Sequence, residues 1–139
     1  MKSLNFTHFT RKILAGEKDQ TFRCLFFPSF IEKEKILLTS TEFGPKIDLM
    51  IVPVTEIYPR KIRDILLEEA RRDGFNSIKE MQTGLLEINH LKSIDRWGMI
   101  IRWEPGSGLV SLEDLDKLIA KLTKNSHQRR LVDYVLKLG

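Results

Sequence analysis

The sequence predicts an α+β fold: a small mixed, mainly antiparallel β-barrel, partly open, with flanking helices and an added C-terminal helical tail. Three observations predict it. The segments run helix, strands, two helices, one more strand and a helical tail. The strand-like runs are too few and too unevenly spaced for a sandwich. The 139 residues, 42% hydrophobic and 30% charged, suffice for one domain with its own core and are too apolar for a disordered chain.

Thr7 to Ala15 reads as a short helix, and Gly16 is the natural residue for its left-handed C-cap. Thr21 to Phe27 reads as a strand closed by Pro28; alternation puts Thr21 and Arg23 on one face and Phe22 on the other, toward a core. Lys35 to Ser40 is a second strand and Phe43-Gly44-Pro45 a turn. Ile47 to Ile57 is a longer strand; Pro53 inside it implies an edge or a bulge, and Tyr58-Pro59 marks its end. Lys61 to Arg72 is helical, with Ile62, Ile65, Leu66 and Ala70 on one stripe, and Asp73-Gly74-Phe75 breaks it. Ser77 and Glu80 form a capping box for a helix through about Glu87. Trp97 to Glu104 is a strand with Trp97, Met99, Ile101 and Trp103 on one face and Ile100 and Arg102 on the other.

Pro105-Gly106-Ser107-Gly108 reads as a linker, which divides the chain into a domain over 1–105 and a helical extension over 106–139. Ser111 opens the extension; Leu112, Leu115, Ile119 and Leu122, then Leu131, Val135 and Leu138, fall at helical spacing, with Asn125-Ser126 as a break between two helices. This stripe needs an apolar partner, either the barrel or a second copy, so a homodimer through the tail is one expectation. Lys117, Lys121 and Lys124 share one side of the first tail helix, as a solvated face or as one that tracks phosphates.

The net charge is +4 with a pI near 9.3. The surplus sits at the ends: five Lys/Arg against two acids in residues 1–27, twelve against thirteen in 28–105, six against four in 106–139. That distribution suits a nucleic acid or nucleotide partner as well as an ordinary basic surface. No apolar run approaches the roughly 20 residues that cross a bilayer. With Cys24 the single cysteine and no leader-like N-terminus, the expectation is a cytoplasmic protein with no internal disulfide and no membrane partner. His8, His90 and His127 are scattered, so no metal is expected, and no phosphate loop or dinucleotide fingerprint implies a cofactor.

The candidate site is the segment from Ile13 to Arg23. It places Lys18 on a loop beside a strand face carrying Thr21 and Arg23: an ammonium, a hydroxyl and a guanidinium together, suited to an anion, a nucleotide or chemistry. Equally, Lys18 and Arg23 can pair with Glu17, Asp19 or Asp73 as weak surface ion pairs. Asp73 can also serve only the turn in which Gly74 supplies a positive φ. Phe75 reads as a core anchor, Trp103 as core with base stacking the lesser alternative, and Arg102 as facing solvent or the site.

The pattern Gly16-x-Lys18-x-x-Thr21-x-Arg23, followed by Asp73-Gly74-Phe75 and Ser77, resembles the ASCH family over about residues 4–104. The resemblance implies a PUA-like barrel with flanking helices and an RNA or modified nucleoside or nucleotide partner. Some members bind or cleave RNA. Some small bacterial members are acetylcytidine amidohydrolases that use a lysine, a threonine and a glutamate together. Carried over, these roles fall on Lys18, Thr21 and Asp73 as catalytic residues, with Gly16 and Arg23 as ligand-binding ones. The chain departs from the pattern at Asp19, where many members have threonine, and at Glu34-Lys35, where many have Gly-Asp. The tail lies outside the minimal family domain. Aspartate at 73 is one methylene short of glutamate, and a misplacement of about 1 Å can cost about 100-fold in rate. In the chemistry so implied, Lys18 takes the Thr21 proton only if burial or a neighbouring cation such as Arg23 lowers its pKa. Arg23 or backbone N–H groups near Gly16 then hold the oxyanion.

Overall fold

A computed structural model describes residues 1–24 and 28–124. In chain order the elements are β1 (Ser3–Phe6), α1 (Thr10–Leu14), β2 (Gln20–Arg23), β3 (Lys35–Ser40), β4 (Ile47–Lys61), a 3-10 turn (Ile62–Asp64), α2 (Leu67–Arg72), α3 (Ile78–Ile88), β5 (Trp97–Trp103) and β6 (Ser107–Gly108). A last helix, α4, covers 112–124.

One sheet holds all six strands in the order β1-β3-β4-β5-β2, with β6 beside β4. β1 runs parallel to β3 and the other pairs are antiparallel. The sheet bends because β4 changes partner midway. Its first half, Ile47 to Pro53, pairs with β3, and its second half, Val54 to Lys61, with β5. A bulge between Val54 and Glu56 marks the handover; the extra residue kinks the strand and increases its twist. Pro53, the sequence signal for an edge or bulge, directly precedes it. The free edges of this half-open barrel are β1 and β2.

Two cores flank the sheet. One gathers Leu4, Phe6, Ile13, Ile36, Leu38, Val52, Ile101 and Trp103. The other gathers Phe22 and Ile100 with Ile62, Ile65, Ala70, Phe75, Met81 and Leu85 from the helical side. β5 therefore separates two cores, feeding Ile101 and Trp103 to one and Ile100 to the other, while Trp97 at its start is half exposed. Gly98 permits β2 and β5 to close up: a Cβ there would lie 2.3 Å from Phe22 Cζ and 2.7 Å from the Arg23 carbonyl oxygen.

Several sequence expectations change. The helix over Lys61 to Arg72 shrinks to α2, because Arg60 and Lys61 pair with Gly98 and Trp97, and the Ile62 and Arg63 N–H groups bond the Arg96 and Ile94 carbonyls. Ile62, Ile65 and Ala70 are buried as the stripe implied, but from a turn and a short helix, and Leu66 is half exposed. β4 runs past Tyr58-Pro59; it has one flanking strand there, and proline is tolerated in such an edge. The first helix starts at Thr10 rather than Thr7, since Phe9 has φ 64° and the Thr10 N–H is capped by Glu42 Oε1 at 3.0 Å. The presumed linker contains β6, paired with Met50 and Ile51. β1 went unforeseen, because four residues carry too little alternation to read. β2 ends at Arg23; residues 25–27, assigned to it from sequence, lie outside the described residues.

α4 begins at the expected cap: the Asp114 N–H donates to Ser111 Oγ at 3.0 Å and the Ser111 N–H to Asp114 Oδ2 at 3.2 Å. Leu115 is buried, and Arg11 Nη2 meets Asp116 Oδ1 at 2.5 Å, so α4 lies against α1. Lys117, Lys121 and Lys124 are exposed. The Asn125-Ser126 break and the Leu131, Val135, Leu138 stripe lie outside the described residues. No described helix is long and apolar enough to cross a membrane.

Candidate functional site

The two free edges of the sheet approach each other, and a cavity of about 110 Å³ opens at this seam. Asn5 and Phe6 of β1 and Thr21, Phe22 and Arg23 of β2 form its sides. Thr7, His8 and Phe9 from the β1–α1 loop, Asp73 and Phe75 after α2, and Leu85, Ile88 and Asn89 from the end of α3 complete it, with Lys18 at its base. Arg23 Nη2 donates to the Asn5 carbonyl at 2.8 Å and so joins the two edges by a side chain.

Local sequence explains the placement. Gly16, at φ +77°, ends α1; the Glu17 and Lys18 N–H groups turn back onto the Lys12 carbonyl at 2.9 and 3.1 Å. That reversal delivers Lys18 inward. Gly16 itself does not line the cavity: of the residues assigned from sequence to ligand binding, it shapes the loop, while Arg23 faces the cavity. At the other wall α2 closes on Asp73 as its C-cap, and Gly74 follows at φ +97°. Asp73 thus ends the helix and also presents its carboxylate to Lys18.

Lys18 Nζ donates to Asp73 Oδ1 at 2.5 Å and to the Asp73 carbonyl at 2.7 Å. Both residues are only 3% exposed, which replaces the weak surface pair considered from sequence with a buried one. The remaining side of the ammonium faces aromatic rings, 5.5 Å from the Phe9 centroid and 5.7 Å from that of Phe6. Burial pushes the Lys18 pKa below its ordinary 10.5; the Asp73 carboxylate opposes this, and the Arg23 charge adds to it. Burial likewise lowers Arg23, again opposed by Asp73, although guanidinium remains charged. Arg23 Nε donates to Thr21 Oγ1 at 3.2 Å, and its guanidinium lies 4.8 Å from the Phe6 centroid. Among the described residues no acceptor takes the Thr21 hydroxyl proton, so that proton is free for a ligand or a base.

The structure therefore brings Lys18, Thr21, Arg23 and Asp73 to one cavity. Phe75 is both a core anchor and a wall, set edge-on to Phe9 with centroids 5.1 Å apart. Trp103 is buried in the first core against Phe6 and does not line the cavity; the rings that do are those of Phe6, Phe9, Phe22 and Phe75. Arg102 faces neither solvent nor the cavity: it is buried, and its Nε donates to Gln20 Oε1 at 3.1 Å. Gln20, fully buried, was overlooked in the sequence; its Nε2 donates to Asp73 Oδ2 at 3.1 Å and to the Glu69 carbonyl at 2.9 Å. Its one signal was the period-two pattern, which puts an amide on the strand face opposite Phe22's neighbours Thr21 and Arg23. Among the described residues no group of three His, Cys, Asp or Glu side chains could hold a metal.

No family model and no curated protein matches the chain by sequence. Solved structures do. A mutant of the ASCH protein of Zymomonas mobilis superposes with a TM-score of 0.55 at 14% identity, covering 86% of this chain and 79% of that one. The chain has an ASCH-like fold. A protein of Enterococcus faecalis assigned to family DUF984 superposes with a TM-score of 0.56 at 13% identity, covering 71% of this chain and 67% of that one. The ASCH-like architecture, a PUA-like curled sheet with helices beside it, is the one the sequence predicts.

Proposed function

We propose that the seam cavity binds one nucleobase, presented by single-stranded RNA or by a nucleoside or nucleotide. The observation that carries this reading is the combination of size and lining. An enclosed apolar cavity that holds a benzene ring measures about 150 Å³; this one is smaller, about 110 Å³, but open at its mouth, so it takes a single planar ring only partly enclosed. The lining carries the rings of Phe6, Phe9 and Phe75 and donors on Thr21 and Arg23. Aromatic faces stack on bases and polar groups read base edges. Sugar and phosphate remain outside.

The test is a calorimetric titration of the full chain with cytidine, other nucleosides and short single-stranded RNA. A nucleoside affinity nearly independent of salt is expected, since no phosphate is engaged. RNA affinity falls with salt by about 0.7 logarithmic units per decade for each phosphate contacted. Arg23→Leu removes a charged donor worth about 1.5–3 kcal/mol and weakens binding by about 10- to 100-fold. Absence of binding to every nucleoside and RNA overturns the proposal.

One observation favours a second reading, an amidohydrolase acting on an acylated cytidine. The Thr21 oxygen accepts from Arg23 while its proton is free, and Lys18 lines the same cavity with its pKa lowered by burial. In this route Thr21 Oγ bonds to the acyl carbon as its proton passes to neutral Lys18. The C–N bond then breaks, the amine leaves with that proton, and water releases the acid from the acyl-threonine. Acetylcytidine turnover that Thr21→Ala abolishes and Lys18→Ala lowers by about 10²–10⁴-fold is the expected result. Turnover retained in Thr21→Ala removes this mechanism and leaves base binding untouched.

A further inference from the structure

We infer that Gln20 is a positioning residue, which holds Asp73 as the acceptor for Lys18 and couples the cavity to Arg102 on the far side of β2. Gln20 and Arg102 are cross-strand partners in the β2–β5 ladder. Arg102 can only donate, so the Gln20 oxygen must face it, at 3.1 Å from Nε. The amide therefore cannot flip, and its nitrogen must point at Asp73 Oδ2, 3.1 Å away, and at the Glu69 carbonyl, 2.9 Å away. An ionised carboxylate only accepts, so Asp73 is held through both oxygens, one by Gln20 and the other by Lys18. Glu69 and Asp73 lie four residues apart on α2, and Gln20 binds both at once. It thereby fixes the end of the helix that carries the cavity's acid. Arg102 is itself anchored by Glu68 at 3.2 Å and by Glu56 at 3.7 Å. The chain Arg102, Gln20, Asp73, Lys18 is buried throughout.

What this does for a bound base rests on the nucleobase reading above; the coupling itself does not. The charged groups that act on Lys18 are Asp73 at the end of α2, Arg23 on β2 and Asp19 on the loop. Gln20 adds no charge to that set. Gln20→Glu keeps the volume and the bond to Arg102 but sets a second carboxylate against Asp73, and the added negative charge raises the Lys18 pKa.

The experiment uses the full chain with isotope-labelled lysine and glutamine side chains, titrated by NMR through the alkaline range, the Lys18 signal being assigned from Lys18→Arg. In the unaltered protein the Gln20 side-chain amide signals are expected to shift with the same midpoint as Lys18, and in Gln20→Glu the Lys18 midpoint is expected to rise. A Gln20 amide that stays flat while Lys18 titrates overturns the inference, as does an unmoved Lys18 in a folded Gln20→Glu. The first arm needs no variant and decides the matter if Gln20→Glu does not fold. Titration of the same samples with cytidine, other nucleosides and short single-stranded RNA separates the two readings. Coupling without any nucleoside or RNA binding sinks the nucleobase proposal alone, and such binding without coupling sinks the role of Gln20 alone.

Discussion

Asp73→Ala is expected to lower stability by about 3–5 kcal/mol, a large share of what holds a domain of this size folded. The loss does not measure the strength of an ion pair. It measures the cost of leaving Lys18 charged, 3% exposed and facing aromatic rings, without its paired carboxylate. Urea unfolding of the two proteins, compared at constant slope, gives the difference. Lys18→Met combined with Asp73→Leu should recover most of it, because the pair is then replaced by apolar volume and no buried charge remains. Alkaline pH supplies a second check. Burial holds the Lys18 pKa in the folded chain below 10.5, so between the two values the unfolded chain binds more protons. Stability therefore rises with pH through that window. The unaltered protein should gain on Lys18→Met as the pH climbs through it; a gap that widens in the opposite sense contradicts the placement of Lys18.

The parts of the fold that could be read from sequence are those in which local pattern and tertiary role agree. β3 is a compact apolar run, Ile36, Leu37, Leu38 and Thr39, bounded by polar residues, and the expected Lys35 to Ser40 is the strand observed. The Ser77 cap, with the Glu80 N–H bonding Ser77 Oγ at 3.1 Å, starts α3 where the motif put it. Misreadings fall where a partner distant in sequence decides. The stripe from Ile62 to Ala70 is helical in period, yet β5 draws Lys61 into the sheet and leaves one short helix. Residues 105–108 look like a linker because glycine and proline dominate; the same glycines let the chain pass so close to β4 that a Cβ on Gly106 would sit 1.9 Å from the Ile51 oxygen. In the site, spacing within β2 placed Thr21 and Arg23 on one face, and the resemblance added Asp73. The burial of the Lys18–Asp73 pair, and Gln20 behind it, arise from the meeting of β2, β5 and α2, which no local pattern encodes.

Glu69, one helical turn before Asp73, carries the second large effect. Its carboxylate accepts from the Leu66 N–H at 2.9 Å, the Tyr58 hydroxyl at 2.5 Å, and Arg60 Nε and Nη2 at 3.0 and 2.9 Å. It caps α2 and ties that helix to β4, so Glu69→Leu removes the cap and strands three donors. With about 1–3 kcal/mol for each donor left without an acceptor, and water reaching part of Tyr58 and Arg60, a net loss of about 3 kcal/mol is expected. Two titrations identify the cause. Burial alone would raise the Glu69 pKa, but the bonds from Tyr58, Leu66 and Arg60 hold it below the usual 4.5. Its contribution is thus complete above 4.5 and is lost as pH falls through the folded value; Glu69→Gln should remove that part of the acid unfolding limb. Burial, reinforced by Glu69, pushes the Tyr58 phenol up to about 12. In Glu69→Leu its ultraviolet titration should return toward the ordinary 10. A Tyr58 midpoint unchanged by the substitution would mean that α2 is not anchored to β4 through this carboxylate. The helix that delivers Asp73 to the cavity would then be held by its apolar face and its remaining partners: Gln20, Lys18 on Asp73, Arg102 on Glu68 and Asp19 on Arg72.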